Sequence, residues 1–159
     1  MFRFNNASFI AACAAGLLCA DLFAGGFWLQ LGDPSANPDA KAKNAVVIVR
    51  PFGCISPADA KLTGTAEGML NGQRRTIALD LVPLSEKATY AVLREWPAEG
   101  SWVLRLTASV PGRTTSALVP VTAEGFNRAM VKFFQGDPPR SDLEAMLHTM
   151  AAQQLAAKN

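Results

Sequence analysis

Apolar positions are arranged in three ways along the chain. Up to Leu31 they form a nearly unbroken run. From Ala45 to about Phe134 they come in short segments, several alternating with polar residues and punctuated by Gly, Pro and Asn-Gly. After Ser141 they recur at helical spacing. Alternation with period 2 is the signature of a half-buried strand, and spacing of 3.6 that of an amphipathic helix.

The middle region predicts strands. Ala45–Arg50 (AVVIVR) is a β-branched run suited to a buried strand. Lys61–Leu70 alternates loosely, then Asn71-Gly72 supplies the positive φ angles of a type I′ hairpin turn. Gln73–Val82 returns with Ile77, Leu79 and Leu81 on one face, the clearest alternation in the chain. Thr89–Trp96 and Ser101–Val110 read as a second hairpin around Pro97-Ala98-Glu99-Gly100, with Trp102, Leu104 and Leu106 sharing a face. Arg113–Val121 follows a Pro111-Gly112 turn. Phe126–Phe134 fits either period; the short Ala123-Glu124-Gly125 loop before it favours a strand. Seven short strands separated by turns predict an all-β antiparallel sandwich over residues 45–135.

The final segment, residues 141–156, predicts a helix. Ser141 and Glu144 have the spacing of a capping box. Leu143, Met146, Leu147, Met150 and Gln154 then form one stripe. That stripe must be buried, either on the chain's own sandwich, the favoured reading, or in a partner's groove.

The beginning predicts export. Arg3 precedes an apolar core, Phe9–Ala20, of signal-peptide length, about 7–15 residues. Cutting after Ala20 or Ala24 would remove it, so residues 1–24 read as a signal peptide. Left uncut, Ala7–Leu31 exceeds the roughly 20 residues needed to cross a bilayer. Phe27 and Trp28 would then suit the interface, while Asp21 near the middle would cost on the order of 2.5–3.5 kcal/mol. Neither Cys13 nor Cys19 lies in a good lipoprotein context. Residues 25–44, polar from Gly32 and broken by Pro34 and Pro38, read as a linker.

Charge and cysteine content narrow the classes. The net charge is +2 and stays so without residues 1–24, which remove Arg3 and Asp21 together. That is too weak for a nucleic-acid footprint, and no nucleic-acid partner is expected. Cys54 is the one cysteine beyond the leader, so no disulfide within the domain is available and the core must hold it. Cys54 reads as a small buried hydrophobe, or, if exposed, as a thiol that pairs with another chain.

Tyr90, Val92, Gly100, Trp102, Leu104 and Leu106 form a Tyr-x-Val, Gly-x-Trp-x-Leu-x-Leu pattern over about 20 residues. It resembles the hairpin of bacterial envelope Ig-like modules of the YtkA-like type. The resemblance implies an Ig-like β-sandwich in the periplasm or another extracytoplasmic space. It implies no ligand-binding residue, because the shared positions are packing positions.

Candidate chemistry is sparse. Nucleophilic catalysis needs a nucleophile with a base beside it, and the single histidine, His148, falls in the terminal helix. Asp59, Glu67, Asp80 and Glu95 read as solvated carboxylates, Arg74-Arg75 as a charged hairpin end, Trp102 as core and Trp96 as a partly exposed edge residue. No catalytic residue and no cofactor is expected. Met146, His148 and Met150 carry thioether and imidazole groups that suit copper. On a helix, however, His148 is turned about 200° from Met146, and the three converge only if the segment is extended. The expectation is a non-catalytic exported binding or accessory module whose partner is an envelope protein, with membrane contact through the N-terminal segment if it is uncut. A copper-handling protein is the alternative.

Overall fold

A computed structural model describes residues 26–53 and 57–156. The expected leader, residues 1–24, and Cys54 lie outside them. Among the described residues, nine strands form two antiparallel sheets. Sheet A has the order β1 (Phe27–Gly32), β2 (Val47–Gly53), β6 (Tyr90–Val92), β5 (Leu81–Pro83). Sheet B has the order β4 (Gln73–Ala78), β3 (Lys61–Leu70), β7 (Ser101–Val110), β8 (Arg113–Val121), β9 (Lys132–Gln135). Helix α1 (Pro38–Ala42) lies on the outer face of sheet A and α2 (Arg140–Ala156) on that of sheet B.

Alternation along the strands builds this layering. Trp102, Leu104, Leu106 and Ala108 of β7 point inward to meet Phe27, Leu29, Val47, Val49 and Val92 of sheet A in the main core. Fully burying an aliphatic or aromatic side chain contributes roughly 1.5–3 kcal/mol relative to exposure. The intervening Val103, with Leu118 of β8, points outward beneath α2. Thr107 and Ser116, opposite each other in register, share a hydrogen bond of 3.1 Å on that same outer face.

The Asn71-Gly72 turn joins β3 to β4 with both residues at positive φ, 50° and 74°, as the dipeptide predicts. The strand expected over Gln73–Val82 instead divides. After Ala78 the chain leaves sheet B and enters sheet A as β5. Ile77, Leu79 and Leu81 all face the core nonetheless, because a strand that crosses a sandwich keeps its inward side inward. Likewise β6 and β7, expected as a hairpin, do not pair. They lie in different sheets, and residues 93–100 cross between them. Trp96 lies on that crossing and is 4% exposed, a core residue rather than an edge one.

The expected linker, residues 25–44, is largely structured. Phe27 and Leu29 point into the core while Trp28 and Gln30 point out, so β1 carries a strand alternation hidden at the end of the apolar run. Its partner is β2 over the full length of β1. Asp33 then caps a 3₁₀ turn, accepting the Ser35 N–H at 2.8 Å. Asn37 caps α1, accepting the Ala40 N–H at 3.0 Å. Both caps precede a proline at the first position of the turn or helix, a starting signal rather than a break.

Residues 126–134 are neither one strand nor a helix. Phe126 bridges to Val121, Arg128–Met130 make a 3₁₀ turn, and β9 follows on the edge of sheet B. Helix α2 starts at Arg140, one residue before the expected cap, and the Asp142 N–H bonds to the Pro139 carbonyl. Glu144 turns to Arg74 and Arg140 in ion pairs instead of closing a capping box.

Candidate functional site

The predicted stripe of α2 is consumed by the domain itself. Leu143, Met146, Leu147 and Met150 are buried against Val103, Leu118, Met130 and Phe134. The helix is pinned at both ends. Near its start Arg74 of β4 pairs with Glu144, and Lys132 with Asp142 at 2.8 Å. Near its end Gln154 donates to the Gly100 carbonyl at 2.7 Å and accepts from the Ser101 hydroxyl at 3.1 Å. Arg74 holds the Glu144 carboxyl below its ordinary pKa.

The three residues of the copper alternative are therefore not brought together. Met146 and Met150 face sheet B, and His148 is exposed on the far side of the helix. Asp59, Asp80 and Glu95 are exposed, and Glu95 accepts the Asp80 N–H at 2.9 Å. Glu67 departs from the solvated reading. It is buried between β3 and α2, accepts from the hydroxyls of Thr65 (3.1 Å) and Thr76 (2.7 Å), and lies 3.7 Å from Arg74. Among the described residues no three His, Cys, Asp or Glu gather as metal ligands would.

What remains open is the β1 side of the sandwich. On the outer face of sheet A, α1 covers Ile48, Leu84 and Ala91 through Ala40. The strip beyond it, towards the start of β1, stays uncovered. There Gln30 opposes Arg50 and Trp28 opposes Phe52 in register. Arg50 donates to the Gln30 side chain (2.7 and 3.2 Å) and to Glu86 (2.6 Å), and its guanidinium lies 5.8 Å from the Phe52 ring centre. Trp28 and Phe52 are 38% and 39% exposed, with ring centres 5.1 Å apart.

Beside this strip runs a groove of about 650 Å³ lined by Gln30, Asp33, Asn37, Arg50, Glu86 and Arg128. A second groove of about 510 Å³ continues from it, sharing Asp33 and Arg128 and ending at Glu124 and Phe126. Arg128 lies 5.3 Å from the Phe126 ring centre. Ser35, through its hydroxyl and its backbone N–H, holds the Asp33 carboxyl below its ordinary pKa, and the Arg128 charge acts in the same direction. The surface thus offers aromatic faces and guanidinium groups, residue types enriched in protein interfaces, beside the carboxylates of Asp33 and Glu86.

None of Trp28, Phe52, Arg50 or Arg128 is a site residue by sequence pattern, because the alternation that turns Trp28 outward is hidden in the apolar run that precedes it. No protein-family model matches the chain, and neither does any curated protein or solved structure.

Proposed function

We propose that this chain is an exported, non-catalytic accessory module with an Ig-like sandwich, engaging another envelope component along its β1 side. Export rests on the leader sequence. The Ig-like assignment is supported by strand order: β1-β2-β6-β5 reads as A-B-E-D, and β4-β3-β7-β8 as C′-C-F-G, with β9 added beyond G. In that order E and F belong to different sheets, as β6 and β7 do.

The observation that carries the binding reading is the contrast between the two outer faces. Sheet B spends its apolar outer residues on α2, whereas sheet A leaves aromatic and guanidinium groups beside an open groove. A photo-crosslinking residue at Gln30, compared in the native envelope with one at the exposed Thr149 of α2, tests it. A specific adduct from position 30 alone is expected. Adducts from position 149 alone would move the binding surface to the helix, and none from either would remove the binding reading.

A further inference from the structure

We infer that the chain forms a twofold dimer by pairing the free edge of β9 with the β9 edge of a second copy. This goes beyond the binding reading above and does not depend on it. The pairing uses the edge of sheet B and leaves Trp28, Phe52 and Arg50, on the outer face of sheet A, uncovered.

The register of β9 fixes which main-chain groups face outward. The Gly136 N–H donates to the Thr114 carbonyl at 2.8 Å, and in the same register Ser116 opposes Phe134 and Leu118 opposes Lys132. Hydrogen-bonded pairs alternate with non-bonded ones along an antiparallel ladder. Gly136, Phe134 and Lys132 therefore bond to β8, while Phe133 and Gln135 turn their N–H and C=O groups to the open edge. The other sheet edges are guarded. β5 has three residues and contains Pro83, β4 carries Arg74 and Arg75, and the Phe27 carbonyl of β1 accepts from the Gln135 side chain at 3.3 Å. Short strands, prolines and charges keep edges from pairing. β9 is short too, but its one charged side chain, Lys132, is turned aside to Asp142 of α2.

A second β9 running antiparallel is the occupant these groups fit. About a twofold axis at Phe134, Phe133 of each copy opposes Gln135 of the other, and every outward donor meets an acceptor. This direction also brings the cationic start of one strand, Arg128 and Lys132, towards the other's acidic end at Asp137. Parallel pairing would set like charges beside like, which is destabilising. The side chains agree with the main chain. Phe133 lies opposite the core residue Ala117 and so points to the inner side of sheet B. It is nonetheless 54% exposed, because sheet A ends at β1 and does not reach over it. Across the axis the two Phe133 residues are diagonal neighbours, about 7–8 Å apart, a distance aromatic side chains span. Each ring then covers the other on the side that sheet A leaves open.

The mass of the full chain in mild detergent, read by light scattering over a dilution series, tests this, and a dimer is expected. Gln135→Pro removes an outward N–H and leaves the ladder to β8 intact, as proline on an edge strand can. It deletes two symmetry-related hydrogen bonds and should weaken association by about tenfold. Gln135→Ala keeps the N–H and should associate as tightly as the native chain. Equal weakening in both variants would assign the effect to the side chain and overturn the pairing. If the proline variant fails to fold, as its thermal melt would show, Phe133→Lys at the same exposed edge takes its place. It sets two cations side by side across the axis and should leave a monomer. A monomeric native chain would overturn the proposal. So would a dimer as tight in the deciding variant as in the native chain, since its interface would lie elsewhere.

Discussion

Gly68 of β3 lies directly opposite Trp102 of β7, and the indole ring occupies the space a side chain at 68 would need: a Cβ there would come 2.2 Å from the ring. Trp102 is the largest fully buried side chain among the described residues, and its indole N–H donates to the Glu99 carbonyl at 2.8 Å. A glycine inside a strand usually weakens it. Here it makes room for the ring on which sheet A packs.

The first expectation follows directly. Gly68→Ala should destabilise the domain by about 1–3 kcal/mol, the usual range for overpacking a core. Urea unfolding followed by tryptophan emission would read it. A midpoint equal to that of the native protein would show that the ring moves aside freely.

Helix α2 supplies a paired test. Met146→Ala should cost about 2–5 kcal/mol, because a buried side chain is truncated and leaves a cavity. His148→Ala, on the exposed side of the same helix, should change stability by no more than about 0.5 kcal/mol. Cu(I) should neither alter the helical circular dichroism nor bind in competition with a strong chelator. Copper binding that is lost in His148→Ala would instead mean that α2 leaves the sandwich and unwinds.

Acid should loosen α2. Arg74 holds the Glu144 carboxyl below its ordinary pKa, so the folded state binds this proton less readily than the unfolded chain. Stability from the pair is present above the unfolded value of about 4.3 and is lost as pH falls through the lower folded value. Asp33 and Asp39, lowered by Ser35 and by Lys43 with the Ser85 N–H respectively, act in the same direction. Glu144→Gln should therefore lose less of its Tm than the native protein between about pH 5 and pH 3. Identical pH profiles would mean that the ion pair contributes nothing to folding.

The hairpin turn gives a local test. Gly72 sits at φ 74° with open space around it, so Gly72→Ala meets no clash but must hold a left-handed backbone. The expected loss is about 1–2 kcal/mol, the cost of that conformation for an L-residue. Thermal melting checks it, and no change in Tm would show that the β3–β4 turn has another conformation available.

How much was legible in the sequence depended on the range of the interaction concerned. Alternation in Trp102–Leu106 and in Ile77–Leu81 identified the inward faces correctly, and Asn71-Gly72 identified its turn, because pleat and turn geometry act within a few residues. The α2 stripe named the four side chains that are buried for the same reason. Which strand pairs with which is another matter. Ile77, Leu79 and Leu81 keep one pattern whether the chain stays in sheet B or crosses to sheet A, and a connection punctuated by Pro97 and Gly100 reads alike for a hairpin and for the crossing from β6 to β7.

Residues 27–31 show the limit most plainly. Phe27, Leu29 and Leu31 are core side chains, yet Trp28 between them is apolar too, so the period-2 signal merges with the apolar run before it. By itself the sequence determined an all-β domain, its inward faces and a terminal amphipathic helix. Only the tertiary structure decided that β1 completes sheet A, that Trp96 is buried, that α2 closes on its own sandwich, and that Trp28 meets Phe52 at the surface. Each of these depends on burial against residues distant in the chain, and local periodicity carries no record of which distant surface a side chain meets.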